Sequence, residues 1–172
     1  AEWNWDEVDF SDRVFPKEFL WGTATSEYQV TGAKNCPNAQ WAEWEKRGHP
    51  AIIDGQTSGK SADHLRLCRE DYKLMKDFGL NSYRFSIEWS DVEPQEGVFK
   101  GGAFEKYKVL LKYMSRAGLT PMITLHHFTH PKWFEEKGGF EKEENIFYFV
   151  RFCEKVFNAL GPSVKLWCTI NE

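Results

Sequence analysis

No run of about 18 apolar residues occurs in this chain, so no segment has the length and apolarity to cross a bilayer as a helix. No basic run reaches the density of a nucleic-acid groove. The 22 Lys and Arg are outnumbered by 26 Asp and Glu, for a formal net charge of −4, and a nucleic-acid partner is not expected. No Cys-x-x-Cys pair is present. The four cysteines, Cys36, Cys68, Cys153 and Cys168, are scattered. That pattern fits reduced core thiols and makes a cytoplasmic location the expectation. The start, AEWNWDEVDFSD, is acidic and aromatic, without the basic and then apolar stretches of a signal peptide. Because Ala1 is not an initiator Met, a removed leader stays open. There is no short fixed-period repeat and no low-complexity segment.

What the chain has in quantity is aromatic side chains: 8 Trp, 14 Phe and 6 Tyr. One domain's worth of sequence, 172 residues, does not need so many for packing alone. Surplus Trp suggests exposed platforms for flat apolar ligands, among them the C–H faces of sugars.

Strand-like and helix-like segments alternate. Phe19 to Thr25 reads as a short buried strand, followed by a long irregular stretch from Ser26 to Lys60. Ser61 is placed to cap a helix running to Phe78, with Gly79 as its stop. Leu67, Asp71, Leu74, Met75 and Phe78 would form its inner stripe. Asn81 to Ile87 is a second strand. Gly102 to Ala117 is a second helix, with Phe104, Tyr107, Leu110, Leu111 and Met114 on one face. Thr120 to His127 is a third strand. Glu143 to Leu160 is a third helix, with Ile146, Phe149, Val150, Cys153, Val156, Phe157 and Leu160 at helical spacing. Val164 to Asn171 is a fourth strand. Such alternation implies right-handed crossovers and a parallel sheet. A doubly wound sheet and a (β/α)8 barrel both fit. GTATSEY lacks the G-x-G-x-x-G spacing of a dinucleotide-binding turn, which disfavours the former and gives no reason to expect a cofactor. A barrel takes about 250 residues, so the expected fold is α/β, of the TIM-barrel class, with about the first four βα units present.

Polar residues cluster at the C-terminal ends of the strands: Glu27, Tyr28 and Gln29; Arg84, Ser86 and Glu88; His126, His127 and His130; Asn171 and Glu172. Packing does not require this, whereas a polyol pocket on one barrel rim does. Plainer readings stand beside it. Glu172 could be a charged chain end and Arg84 a structural ion-pair member. Trp41 and Trp133 could be loop anchors or sugar platforms. The LHHFTH histidines superficially suggest a metal. No acidic or cysteine ligands sit at zinc spacing, however, and His126 and His127 should face opposite sides of a strand. No metal is expected.

Four ordered blocks resemble glycoside hydrolase family 1, the β-glucosidases and their relatives: FLWGTATSEYQVTG, ADHLRLCREDYKLMKDFGLNSYRFSIEWSDVEPQEGVF, ITLHHFTHPKWFEEKGGF and KLWCTINE. The match runs from about Phe15 to Glu172. The resemblance implies that residues 1–172 make up the N-terminal half of that family's TIM barrel. It also implies that Gln29 and His127 bind the non-reducing sugar, that Asn171 contacts its 2-hydroxyl, that Glu172 is the general acid/base, and that Arg84 supports the nucleophile. Phe128 stands where many members have Trp, Thr129 where many have Asp, and Thr31 where a Glu is common.

The implied reaction is retaining hydrolysis of a β-glycoside or oligosaccharide, which needs two carboxyl groups about 5–5.5 Å apart. The nucleophile, a glutamate that the family carries late in its sequence, is not in this chain, and Glu88 lies too early to match it. Activity is therefore expected to need a C-terminal half-barrel chain. The alternatives are a non-catalytic carbohydrate-binding module or a self-associating truncated barrel.

Overall fold

The computed structural model describes Asn4, Asp9, Ser11 and residues 14–172. Apart from those first three residues, the acidic, aromatic start lies outside the described residues. In chain order the elements are β1 (Gly22–Ala24), α1 (Glu27–Thr31), α2 (Gln40–Glu45), α3 (His64–Asp77), β2 (Ser82–Ser86), α4 (Trp89–Val92), α5 (Glu105–Arg116), β3 (Thr120–His126), α6 (Lys132–Glu136), α7 (Ile146–Leu160) and β4 (Leu166–Ile170). Three short 3-10 turns flank α7.

All strands are parallel, in the spatial order β1-β2-β3-β4. The parallel sheet is the one the alternation predicts, and its strand order, without reversal, is that of a partial (β/α)8 barrel. β2 is nearly all buried, whereas β1 is exposed throughout and β4 half so. β1 is shorter than the expected Phe19–Thr25. It lies so close to β2 that a Cβ on Gly22 would meet the Ser82 carbonyl oxygen at 2.8 Å. Only glycine fits there.

One core fills the space between the sheet and its helices. It is rich in fully buried aromatics, including Tyr83, Trp89, Tyr107, Phe134 and Phe152. The indole of Trp89 stacks on Phe152 with centroids 5.0 Å apart. Helix α5 buries Tyr107, Leu110, Leu111 and Met114, the face its periodicity predicts.

Two helices are rotated from expectation. α7 buries Tyr148, Phe152, Val156 and Leu160, whereas Ile146, Val150 and Phe157 are 50%, 48% and 56% exposed. The helix is apolar on more than one side, and its aromatic side won the core because Phe152 reaches Trp89. α3 buries His64, Cys68 and Tyr72, while Leu74 and Phe78 are 55% and 75% exposed. Those two line an apolar groove with Thr23, Leu80 and Tyr83 at the β1 edge, where no further described strand pairs with the sheet.

Ser61 does not cap α3. Its hydroxyl donates to the Ser58 carbonyl at 3.2 Å, and Asp63 precedes the helix in a left-handed conformation. The stretch 26–60 is less irregular than expected, since it holds α1 and α2. Both are too short to show a hydrophobic period.

Candidate active site

The C-terminal ends of β2, β3 and β4 bring four of the five expected site residues together. Arg84 sits mid-way along β2, in register with Met122 of β3. Its Nη1 reaches past β3 to donate to Asn171 Oδ1 at 3.0 Å, and it also lies 3.4 Å from Thr124 Oγ1. The Asn171 backbone N–H donates to the His126 carbonyl at 2.9 Å, carrying the sheet's ladder one residue beyond β4. No carboxylate lies within ion-pair distance of Arg84 among the described residues, so the structural ion-pair reading of this arginine fails here.

His127 follows β3 and is buried. Its Nδ1 has no hydrogen-bond partner among the described residues. Burial and the nearby Arg84 charge hold the imidazole below its usual range, while the Glu172 carboxylate pulls the other way. Glu172 itself is exposed and has a left-handed φ of 61°.

His126 points to the opposite face, as strand alternation requires. Its ring packs edge-on against Phe140 and stacks on His130, with Nε2 3.3 Å from His130 Nδ1. Burial, with His130 adding to it, lowers His126 to about 4. His130 Nε2 in turn meets Glu135 Oε2 at 2.8 Å. Among the described residues, no group of three His, Cys, Asp or Glu is placed to hold a metal ion.

The turn after β3 is held firmly. Phe128 has a left-handed φ of 67°, uncommon for a bulky residue. Gln40 of α2 clamps it from one side: Nε2 donates to the Phe128 carbonyl and Oε1 accepts from His130 N–H, both at 2.8 Å. Trp41 Nε1 also donates to the Phe128 carbonyl, at 3.3 Å. From the other side, Thr129 Oγ1 donates to Glu88 Oε2 at 2.7 Å. Sequence reasoning missed Gln40 and set Glu88 aside. Their partners lie far away in the chain, and only the fold joins them.

The end of β1 behaves differently. Gln29 is exposed on α1, and no hydrogen bond links it to the other four site residues. Glu27 does not face a pocket. It is buried, accepting from Tyr107 OH and Lys106 Nζ, both at 2.6 Å. The two tryptophans expected in loops lie on helices, Trp41 on α2 and Trp133 on α6. Trp133 is an anchor: its Nε1 donates to the Glu93 carbonyl at 2.9 Å and its ring meets Trp89 edge-on. Trp41 is 46% exposed. It lines a cleft of about 740 Å³ between α2 and α6 with Trp44, Lys132 and Glu135.

A guanidinium, an amide, an imidazole and a carboxylate at adjacent parallel strand ends form a rim site of the kind that barrels use. The model of glycosyl hydrolase family 1 matches residues 11–172. The chain belongs to glycosyl hydrolase family 1. It is 37% identical over 162 residues to "Beta-glucosidase A" of Acetivibrio thermocellus, covering 92% of this chain and 36% of that relative. It is 32% identical to the human "Cytosolic beta-glucosidase", covering 92% and 35%. Among solved structures, a beta-glycosidase from Pyrococcus horikoshii superposes with a TM-score of 0.81 at 44% identity, covering 92% of this chain and 36% of that one. The beta-glucosidase BglU of Micrococcus antarcticus gives 0.85 at 36% identity, covering 92% and 34%. The family 1 chain here thus spans about a third of the length of the relatives it matches.

Proposed function

We propose that this chain supplies the acid/base half of a retaining β-glycosidase site, with Glu172 as general acid/base and a β-glucoside or related oligosaccharide as substrate. Glu172 protonates the glycosidic oxygen as the aglycone leaves, then takes the proton from the attacking water. Asn171 and His127 hold sugar hydroxyls, and Gln29 joins them from α1 with the sugar as bridge. The buried Nδ1 of His127, without a partner among the described residues, suits a hydroxyl. The arrangement requires a second carboxylate as nucleophile, from a segment completing the barrel.

The observation that carries this reading is Arg84. A half-buried guanidinium that donates to Asn171 Oδ1 and has no carboxylate partner among the described residues can orient the amide and receive a nucleophile's charge. The low-dielectric surroundings that a general acid requires would come from the same completing segment.

The test mixes this chain with a polypeptide covering four further βα units of a family 1 relative and assays an aryl β-glucoside. Turnover that depends on both chains, and that is lost in Glu172→Gln, supports the proposal. Turnover unchanged by Glu172→Gln refutes it. Sugar binding without turnover in any mixture would make the chain a carbohydrate-binding module.

A further inference from the structure

Glu88, just beyond β2, is 1% exposed, and no role in the proposed chemistry uses it. Its Oε1 accepts from Ser90 N–H at 3.2 Å and Ser90 Oγ at 2.7 Å, and its Oε2 accepts from Thr129 Oγ1 at 2.7 Å. Its backbone N–H donates to Tyr107 OH at 3.0 Å and lies 3.3 Å from Glu27 Oε2. The carboxyl therefore sits on a fixed mount and grips the turn that carries His127.

We propose that Glu88 is a positioning residue for His127, holding the β3 turn through Thr129 when ionised and loosening that hold when it gains a proton. An ionised carboxylate only accepts, and here all three of its partners are donors. A protonated Glu88 donates through one oxygen, and the hydroxyl facing that oxygen must turn its own hydrogen elsewhere and accept instead, so that bond persists without charge assistance and weakens. Ser90 keeps its place through its own backbone N–H on the same carboxyl. Thr129 has no such second tie to Glu88, so its bond is the one weakened.

The surroundings make this change accessible near neutral pH. Burial raises Glu88 to about 7, with the Glu27 charge adding and the Ser90 and Thr129 hydrogen bonds opposing. From α1 the cluster is faced by Glu27, and from α5 by Lys106 and Tyr107. Burial works against the Lys106 charge, but Glu27, Tyr107 and Asp91 hold that ammonium above its usual range, so it stays a cation throughout. Cys36 lies nearby, its thiol pushed up by burial and then by Glu88 and Glu27, so it stays neutral. On the turn, burial holds His126 and His130 below their usual range. Within this cluster, Glu88 is the carboxyl raised to about 7.

The functional meaning rests on His127 as a sugar contact, but the coupling is readable without sugar. Nuclear magnetic resonance on the labelled chain follows the Glu88 carboxyl carbon and the backbone amides of His127, Phe128 and Thr129 through neutral pH. Expected is one midpoint near 7 shared by Glu88 and the three amides. Thr129→Val keeps the shape and removes the hydroxyl; there Glu88 still titrates, but the His127 amide no longer follows it. Glu88→Gln removes the shared midpoint altogether, leaving only the lower histidine titrations common to all three proteins. A His127 amide that follows Glu88 unchanged in Thr129→Val overturns the proposal, as does a Glu88 that ionises well below neutrality. Adding methyl β-glucoside to the same samples tests the sugar reading separately. No response to sugar would sink that reading and leave the coupling result standing.

Discussion

The guanidinium of Arg84 on β2 donates to Asn171 Oδ1 beyond β4 at 3.0 Å, across the intervening β3. Two non-adjacent strands are thereby joined at the rim by side chains. Asn171→Ala removes this charge-assisted bond. Because solvent reaches both groups, the expected cost is about 1 kcal/mol, below the usual range for charged partners. Asn171→Asp supplies a charge and should keep or raise stability while abolishing sugar binding. Urea midpoints and a sugar titration on both variants check this. A loss of stability in Asn171→Asp as large as in Asn171→Ala would contradict it.

In the two-chain mixture, Glu172→Gln should lower turnover by about 10²–10⁴-fold, the usual worth of a general acid/base. The size should depend on the leaving group. An alkyl glucoside needs protonation of its departing oxygen, so it should lose the most. A nitrophenolate departs unaided, so cleavage of a nitrophenyl glucoside should suffer less. Equal losses on both would point away from an acid role.

Stability against pH separates two buried groups. Glu88 is raised from 4.5 to about 7, so the folded state holds its proton more tightly than the unfolded chain does. Its contribution is fully present below 4.5 and is lost as pH rises through 7. His126 is lowered from 6.5 to about 4, so its contribution is present above 6.5 and lost as pH falls through 4. The two slopes oppose each other over the interval between. Glu88→Gln removes the first, so its stability should climb more steeply with pH than the wild type's. Urea midpoints at several pH values measure the difference. Parallel curves would mean that Glu88 is ionised in both states.

Trp41 and Trp133 should respond unequally to truncation. Trp133→Ala opens space beside Trp89 and leaves the Glu93 carbonyl short of a donor. A loss of about 3 kcal/mol is expected. Trp41→Ala, at an exposed ring with one long hydrogen bond, should cost less than about 1 kcal/mol. Thermal denaturation of the two variants decides, and a Trp41 loss equal to that of Trp133 would contradict the assignment.

Much of the architecture was legible in the sequence because β2, β3 and β4 are short strand-like runs bounded by helical stretches. Helix α5 carries a single apolar stripe, and its buried face follows directly. α3 and α7 carry apolar residues on more than one side, so periodicity alone could not choose the face; contacts such as Phe152 on Trp89 chose it. Among the candidate site residues, His127, Asn171 and Glu172 could be singled out because each sits at the end of a strand-like run, and Arg84 because it is a charge inside one. The Gln40 clamp and the Glu88–Thr129 bond could not. Each joins residues separated by another whole strand and helix, and neither residue type is unusual in a loop.

The strand order β1-β2-β3-β4 means that each strand pairs with the one formed just before it. Among the described strands, none waits for a distant partner to pair within this sheet, and none is inserted between two earlier ones. Each new βα unit can therefore dock on a finished edge, and the loop that must close is only one crossover long. Such a sheet can grow in the direction of synthesis, with β4 as its most recently formed edge.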